Sequence, residues 1–302
     1  FSNLMSRICT TVHRAFPELK FIGLCHEIAS LERFLPLVLE RPYTDLSVRA
    51  AGLNHFSAVL TATYAATGAD AYPDILARAP GFFGNMPVLD TQKKYFKETG
   101  HSGADDASEP VYRTEAWPER RVFQAVLERF GVLPITSDSH FGEYIQWAYD
   151  VTDHKGINDF YRFYKNYLMK VEPKIELKLK ERIVPIVEGI VTDSGYEEPA
   201  VNIPNNGFID ELPDWLVVEV PATIDKDGIH GIAMGQLPKG FLGLLRNQVA
   251  VHDMTAEAIL HKSRELALQA LLVDPIVTRY QGMEAMLDTM IDYQWKWLGY
   301  LK

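Results

Sequence analysis

The chain is short of cysteine, of clustered positive charge and of long apolar runs, and each shortage removes a class of protein. Only Cys9 and Cys25 are present, too few for a disulfide framework and in keeping with a reducing cytoplasm. With 40 acidic against 30 basic residues the net charge is -10. No long Lys/Arg cluster occurs, so the electrostatic footprint of a nucleic-acid binder is missing. No apolar run approaches the roughly 18 residues of a membrane span. The start, Phe1-Ser-Asn-Leu-Met-Ser-Arg7, has no basic stretch followed by an apolar one, so no secretory signal is read there and a cytoplasmic protein is expected. It also opens without an initiator Met, as a fragment would. GxSxG, P-loop and GxGxxG motifs do not occur, and His26-Glu27 fails as an HExxH helix because Ser30 stands where the second His belongs.

What is present, 302 residues of which 47% are hydrophobic and 23% charged, suits one large or two modest globular domains. The spacing of Leu4, Ile8, Val12 and Phe16 predicts a helix over 4–16. Pro17 ends it before a strand over Lys20–Leu24, one helix-strand unit of an α/β sheet. Ile28, Leu31, Leu35 and Leu39 predict a second helix over 27–40, and Val48–Tyr64 reads as strand-rich. Residues 68–118, with Gly81-Phe-Phe-Gly84 and the polar run 100–110, read as irregular, a loop over a site. Helices are expected over 119–130 and, with breaks at Pro173 and Pro185, over 157–190. Trp215–Val220 reads as a strand followed by the turn-forming Ile224-Asp-Lys-Asp-Gly-Ile229, and Asp253–Leu272 as an amphipathic helix with Asp253 or Thr255 as N-cap.

Cys25 and His55 each close a short apolar run, Phe21-Ile-Gly-Leu-Cys25 and Ala51-Gly-Leu-Asn-His55. A soft thiolate and an imidazole so placed form half of a divalent-metal site; the alternative is a buried core thiol and a hydrogen-bonded core histidine. Asp138, His140, Glu143 and Tyr144 put polar groups within a turn or two. Asp138 or Tyr144 could serve as base and His140 as a substrate hydrogen bond, against the alternative of an N-capping Asp138 with exposed neighbours. Val201-Asn-Ile-Pro-Asn-Asn-Gly207 offers amides for sugar hydroxyls or, alternatively, an ordinary turn. Trp117, Trp147 and Trp215 could stack on a sugar face or simply pack in the core. Arg49, Arg113, Arg120 and Arg121 are candidate anion readers or surface ion pairs.

Six segments in order carry a resemblance: Gly23-Leu-Cys-His26, Gly52-Leu-Asn-His55, Asp138-Ser-His-Phe-Gly-Glu-Tyr144, Asn202-Ile-Pro-Asn-Asn-Gly207, Val218-Glu-Val-Pro-Ala-Thr-Ile-Asp-Lys-Asp-Gly-Ile-His230 and Gln248-Val-Ala-Val-His252. Together they resemble glycoside hydrolase family 4, most of all its α-galacturonidase and α-galactosidase branch. The resemblance implies an α/β protein: the C-terminal end of a Rossmann-type, lactate/malate-dehydrogenase-like domain over residues 1–25, then an α+β catalytic and oligomerisation domain over 26–302. The glycine-rich front half of the Rossmann domain is expected outside this chain.

That family is an NAD-dependent exception to two-carboxylate glycoside cleavage. The resemblance implies NAD, Mn2+ or another divalent metal, a small α-linked glycoside as substrate and a homodimer or homotetramer. Oxidation of the sugar C3 makes the C2 proton acidic, and a Lewis-acid cation stabilises the resulting anion before the aglycone leaves. By the same resemblance Cys25 and His55 are the metal ligands and Asp138, then Tyr144, the candidate base. His26 takes the position of a catalytic acid, while Asn3, Asn54, His140 and Asn202 contact substrate; Leu4 stands where the family has Pro after that Asn. A sulfoquinovosidase of the same mechanism, a lactate/malate-type dehydrogenase and a truncated inactive subunit are the competing expectations.

Overall fold

A computed structural model describes residues 5–25, 27–85, 120–154, 157–158 and 182–302. In chain order its main elements are α1 (Met5–Ala15), α2 (Leu31–Leu39), β1 (Leu46–Leu53), β2 (Phe56–Tyr64), α3 (Tyr72–Asn85), α4 (Arg121–Phe130), β3 (Leu133–Pro134) and α5 (Asp138–Gly142). They continue with α6 (Ala148–Val151), α7 (Ile183–Thr192), β4 (Tyr196–Pro204), β5 (Val217–Asp225), β6 (Gly228–Gly231), α8 (Lys239–Leu260), α9 (Arg264–Val273), α10 (Met283–Tyr293) and α11 (Trp295–Leu298).

The strands form one antiparallel sheet in the order β3-β2-β1-β5-β4, with β6 also pairing to β5. β5 is buried along nearly its whole length, as a strand covered on both faces should be. β1 alternates at its outer end and is wholly buried over Ala50–Leu53, where it meets β5 at the Gly52–Glu219 pair. Behind the sheet, Phe56, Phe123, Phe141 and Phe241 are fully buried in one continuous core. Each such ring contributes about 1.5–3 kcal/mol by leaving water. A smaller cluster of Leu268, Leu287, Ile291 and Leu301 holds the C-terminal helices together. Among the described residues no helix is long and apolar enough to cross a membrane.

The hairpin, the first two helices, the helix after 119 and the Trp215–Val220 strand fall where the sequence puts them. Four expectations need correction. Lys20–Leu24 is not a strand: only Gly23 pairs, exchanging both hydrogen bonds with Asn202 of β4 at 3.0 and 2.9 Å. The helix expected over Asp253–Leu272 is two helices. α8 starts at Lys239, directly after Pro238, and stops before Lys262, whose φ of 53° is left-handed. Ser263 then caps α9 by accepting from Leu266 N at 3.2 Å, so Asp253 and Thr255 lie inside α8 and cap nothing. Pro185 does not break a helix; it lies in the first turn of α7, where its missing N–H is no loss. Tyr72–Asn85 is helical rather than irregular. Pro173 and the polar run 100–110 lie outside the described residues.

Residues 5–25 are built onto the sheet that the later residues form. α1 packs on α8 and on β4 and β5, and Ser6 Oγ accepts from Asn54 N at 2.9 Å. Gly23 makes that docking possible, because a Cβ there would stand 2.6 Å from the Met5 sulfur and 2.8 Å from the Cys9 sulfur.

Candidate active site

β1 and β2 are joined by a two-residue loop, Asn54-His55, with Leu53 opposite Phe56. His55 takes a left-handed φ of 64°, a conformation that a non-glycine residue holds only where its surroundings insist. The loop is braced by Gly52, where a Cβ would lie 2.5 Å from the Phe56 carbonyl oxygen. The extended segment anchored by Gly23 ends at Cys25, whose Sγ lies 3.5 Å from His55 Nε2. The ends of two distant segments thus meet, as the apolar runs suggested.

Burial and then the charge of Glu219 push the Cys25 thiol up to about 11, while a hydrogen bond from the Asn54 side chain pulls it down. At neutral pH the sulfur is therefore a thiol. The donor set fits one divalent ion. Sulfur and nitrogen bound at ordinary lengths to one tetrahedral ion stand about 3.6 Å apart, which is the separation found here, and the carboxylates of Glu219 and Glu27 place a negative field on the sulfur. Among the described residues no group of three or more His, Cys, Asp or Glu could hold a metal; the donors that meet here are one thiol and one imidazole.

Glu219 is a residue that sequence reasoning does not single out. It is 2% exposed and accepts from Asn54 Nδ2 at 2.9 Å, Ser57 Oγ at 2.8 Å and Asn202 Nδ2 at 3.1 Å. Burial holds its carboxyl above the usual range against those three hydrogen bonds. A signal existed: a carboxylate in the middle of Trp215-Leu-Val-Val-Glu-Val220 has no water to turn to.

The remaining expected residues divide. Asn54 and Asn202 are buried beside the pair, and Asn202 Oδ1 also accepts from Ser6 Oγ at 3.4 Å. His140 packs its ring on His55, centroids 4.6 Å apart, with Nδ1 3.8 Å from Glu143 Oε1. Tyr144 is buried, stacks on Phe56 at 4.8 Å and donates its OH to the Asn54 carbonyl at 3.2 Å. Burial pushes this phenol up, while Arg7 pulls it down.

Asp138 faces elsewhere, its two carboxylate oxygens accepting from Val122 N at 2.7 Å and Phe123 N at 3.1 Å in the first turn of α4. It caps a helix 16 residues upstream rather than its own, which Ser137 caps. His26 and Asn3 lie outside the described residues.

The candidate sugar and anion readers are otherwise engaged. Asn205 bonds within its own turn, to Ile209 and Leu212. Trp147 stacks on Phe130, Arg14 covers Trp215 and Arg49 pairs with Glu197 at 2.6 Å. Arg120 is buried between Phe34 and Phe123 and donates to the Thr136 carbonyl. Trp117 and Arg113 lie outside the described residues.

Known proteins share this sequence and architecture. Residues 50–277 match the family 4 glycosyl hydrolase C-terminal domain. An alpha-glucosidase of Erwinia rhapontici is 54% identical over 314 residues, covering 100% of this chain and 68% of the relative. An alpha-galacturonidase of Bacillus subtilis is 26% identical over 302 residues, covering 92% and 62%. Among solved structures, a 6-phospho-alpha-glucosidase from gut microorganisms in complex with NAD and glucose-6-phosphate superposes with a TM-score of 0.72 at 20% identity, covering 100% of this chain and 67% of that one. A 6-phospho-beta glucosidase from Thermotoga maritima with manganese, NAD+ and glucose-6-phosphate gives 0.64 at 20% identity, covering 100% and 66%. The chain thus spans about two thirds of the length of these proteins. With most of its length inside the family's C-terminal domain and more than half of its residues shared with one member, the chain belongs to glycoside hydrolase family 4.

Proposed function

We propose that this chain is the metal- and substrate-binding portion of an NAD- and divalent-metal-dependent α-glucosidase. The observation that carries this reading is the 3.5 Å approach of Cys25 Sγ, which precedes the matched residues, to His55 Nε2 within the family's domain. The expected galacturonide or galactoside gives way to an α-linked glucoside because identity is 54% to an alpha-glucosidase against 26% to an alpha-galacturonidase. The second relative keeps a galacturonide as the second reading.

Cys25 and His55 would hold the cation, and with NAD it would supply C3 oxidation and Lewis acidity at the sugar O2 and O3, the chemistry that makes the C2 proton removable. The chain's own residues then have three tasks. The left-handed turn at His55 aims the imidazole into the site. The buried Asn54 and Asn202 amides orient hydroxyls in a space from which the sheet excludes water. Tyr144 ranks first as base, ahead of Asp138, because its OH lies on the Asn54 carbonyl whereas the Asp138 oxygens are occupied by α4. Burial opposes loss of the phenolic proton, and the Arg7 charge favours it.

A reducing compartment such as the cytoplasm is proposed, supported by the free thiols of Cys9 and Cys25. Assembly is proposed as a homodimer or homotetramer, to be read by light scattering.

The test uses the full-length protein with NAD, Mn2+ and an α-glucoside in deuterated water. Deuterium at C2 of the released glucose with no net NADH is the expected result. Product without C2 deuterium overturns the elimination, and accumulating NADH would make the protein a dehydrogenase. A kcat/KM higher for an α-galacturonide than for the glucoside returns the substrate to the second reading, and one higher for a 6-phosphoglucoside makes the sugar phosphorylated.

A further inference from the structure

Glu219 occupies the centre of β5, opposite Gly52 of β1 and Asn202 of β4. Register alone therefore sets a carboxylate directly beneath the hairpin loop that carries His55. Among the described residues its hydrogen bonds come from neutral groups: the amides of Asn54 and Asn202 and the hydroxyl of Ser57. No salt bridge to Glu219 forms among the described residues, in contrast to the Arg182–Glu198 pair one strand away at 2.9 Å.

An ionised carboxylate only accepts, so it decides which end of each amide faces it. It fixes Asn54 with its NH2 inward. One hydrogen of that group goes to Glu219 Oε2 at 2.9 Å, which holds the side chain of the residue before His55. Asn202 is fixed in the same way, its oxygen turned to Ser6 and its backbone gripping Gly23, two residues before Cys25. One carboxylate thus governs both arms of the Cys25–His55 pair.

We propose that Glu219 is the positioning residue of this metal site: through Asn54 it steadies the His55 turn, through Asn202 the segment that ends at Cys25, and its negative charge lies beside a bound dication. This role rests on the metal-binding reading of Cys25 and His55, and its test separates the two. Outer partners of this kind change metal affinity by about 10- to 100-fold.

The probe is Co2+ alone, added to the chain under reducing conditions. The thiolate-to-cobalt absorption band reports Cys25 ligation and its titration gives the affinity. Glu219→Gln, which puts a donor where an acceptor is needed, is expected to weaken Co2+ about 10- to 100-fold while the chain stays folded by circular dichroism. Asn54→Ala is expected to weaken it as well, and Glu219→Gln added to Asn54→Ala to weaken it by a smaller factor than Glu219→Gln does alone, since the Asn54 arm of its effect is already gone. A carboxylate important only for folding would add its full effect in that background.

Co2+ affinity within twofold of the unaltered chain in folded Glu219→Gln overturns the proposal. If that variant does not fold, unchanged affinity in Asn54→Ala overturns it equally. No cobalt–thiolate band in the unaltered chain, or one that survives Cys25→Ser, overturns the metal reading and this proposal with it.

Discussion

Two glutamates on neighbouring strands are almost completely buried, Glu198 at 1% and Glu219 at 2% exposure, yet their surroundings are unlike. Glu198 on β4 receives Arg182 through Nε to Oε1 and Nη2 to Oε2, both at 2.9 Å, and the Tyr196 hydroxyl at 3.0 Å. That forked pair is what a lone buried carboxylate requires. Among the described residues, Glu219 on β5 receives two amides and a hydroxyl and no cation. A fold that supplies a guanidinium to one carboxylate and withholds it from the next leaves the second charge for something else, and Cys25 and His55 stand beside it. The first glutamate closes the sheet; the second serves a site.

The largest expected effects separate those roles. Cys25→Ser and His55→Asn, the latter keeping a residue that tolerates the left-handed φ, should each weaken Co2+ binding by more than about 100-fold, beyond the loss of an outer partner. Arg182→Ala should leave Co2+ affinity unchanged but lower stability to urea by about 3 kcal/mol, the low end for breaking a buried pair, because the Arg182 side chain is 42% exposed. Weakened Co2+ binding in Arg182→Ala, or normal binding in Cys25→Ser, would erase the distinction.

How much of this contrast is legible in the sequence depends on what carries it. Cys25, His55 and the loop Asn54-His55 stand out because each ends an apolar run, a pattern local to a few residues. Glu219 lies inside one of the six family segments, but its meaning depends on the strand register that sets it opposite Gly52 and Asn202, and register is a non-local property. Gly23 reads as part of a strand although it makes a single bridge. The capping reading of Asp138 is right in its chemistry and wrong in its target, since α4 lies 16 residues upstream and only the fold brings it near. The start of α8 is hidden by Gly240 and Gly243, poor helix formers that tertiary packing overrides.

A third buried ionisable group sharpens the comparison: among the described residues its ring Nδ1 has no hydrogen-bond partner. His252 on α8 is 2% exposed, and burial together with the Arg7 charge pushes it down to about 3. Its native pKa lies below the unfolded value near 6.5, so the unfolded chain takes up the proton first. Stability is therefore complete above pH 6.5 and falls as the pH drops toward 3, by about 3 kcal/mol at pH 4. Glu219 acts with the opposite sign: its raised pKa favours the fold below the unfolded carboxyl value and loses that contribution as the pH rises through the native one. Urea midpoints at pH 7 and pH 4 should show a net acid loss that His252→Gln largely removes. An equal loss in the variant would assign the acid sensitivity to other groups.

The smallest effect divides Asp138 from Tyr144. Asp138 holds two backbone N–H groups of α4, so Asp138→Ala should cost about 1–2 kcal/mol, the worth of a helix cap, and leave Co2+ affinity within twofold. Tyr144→Phe gives up one hydrogen bond to the Asn54 carbonyl, worth about 1 kcal/mol, and keeps the ring stacked on Phe56. If the phenol is the base, Tyr144→Phe in the full-length enzyme abolishes solvent deuterium incorporation at C2, while Asp138→Ala, assayed below its lowered melting temperature, still incorporates it. The reverse pattern would return the base to Asp138. It would also mean that α4 releases that carboxylate when substrate binds, because a carboxylate whose two oxygens are each held by a backbone donor at a buried helix start is poorly placed to take a proton from a sugar.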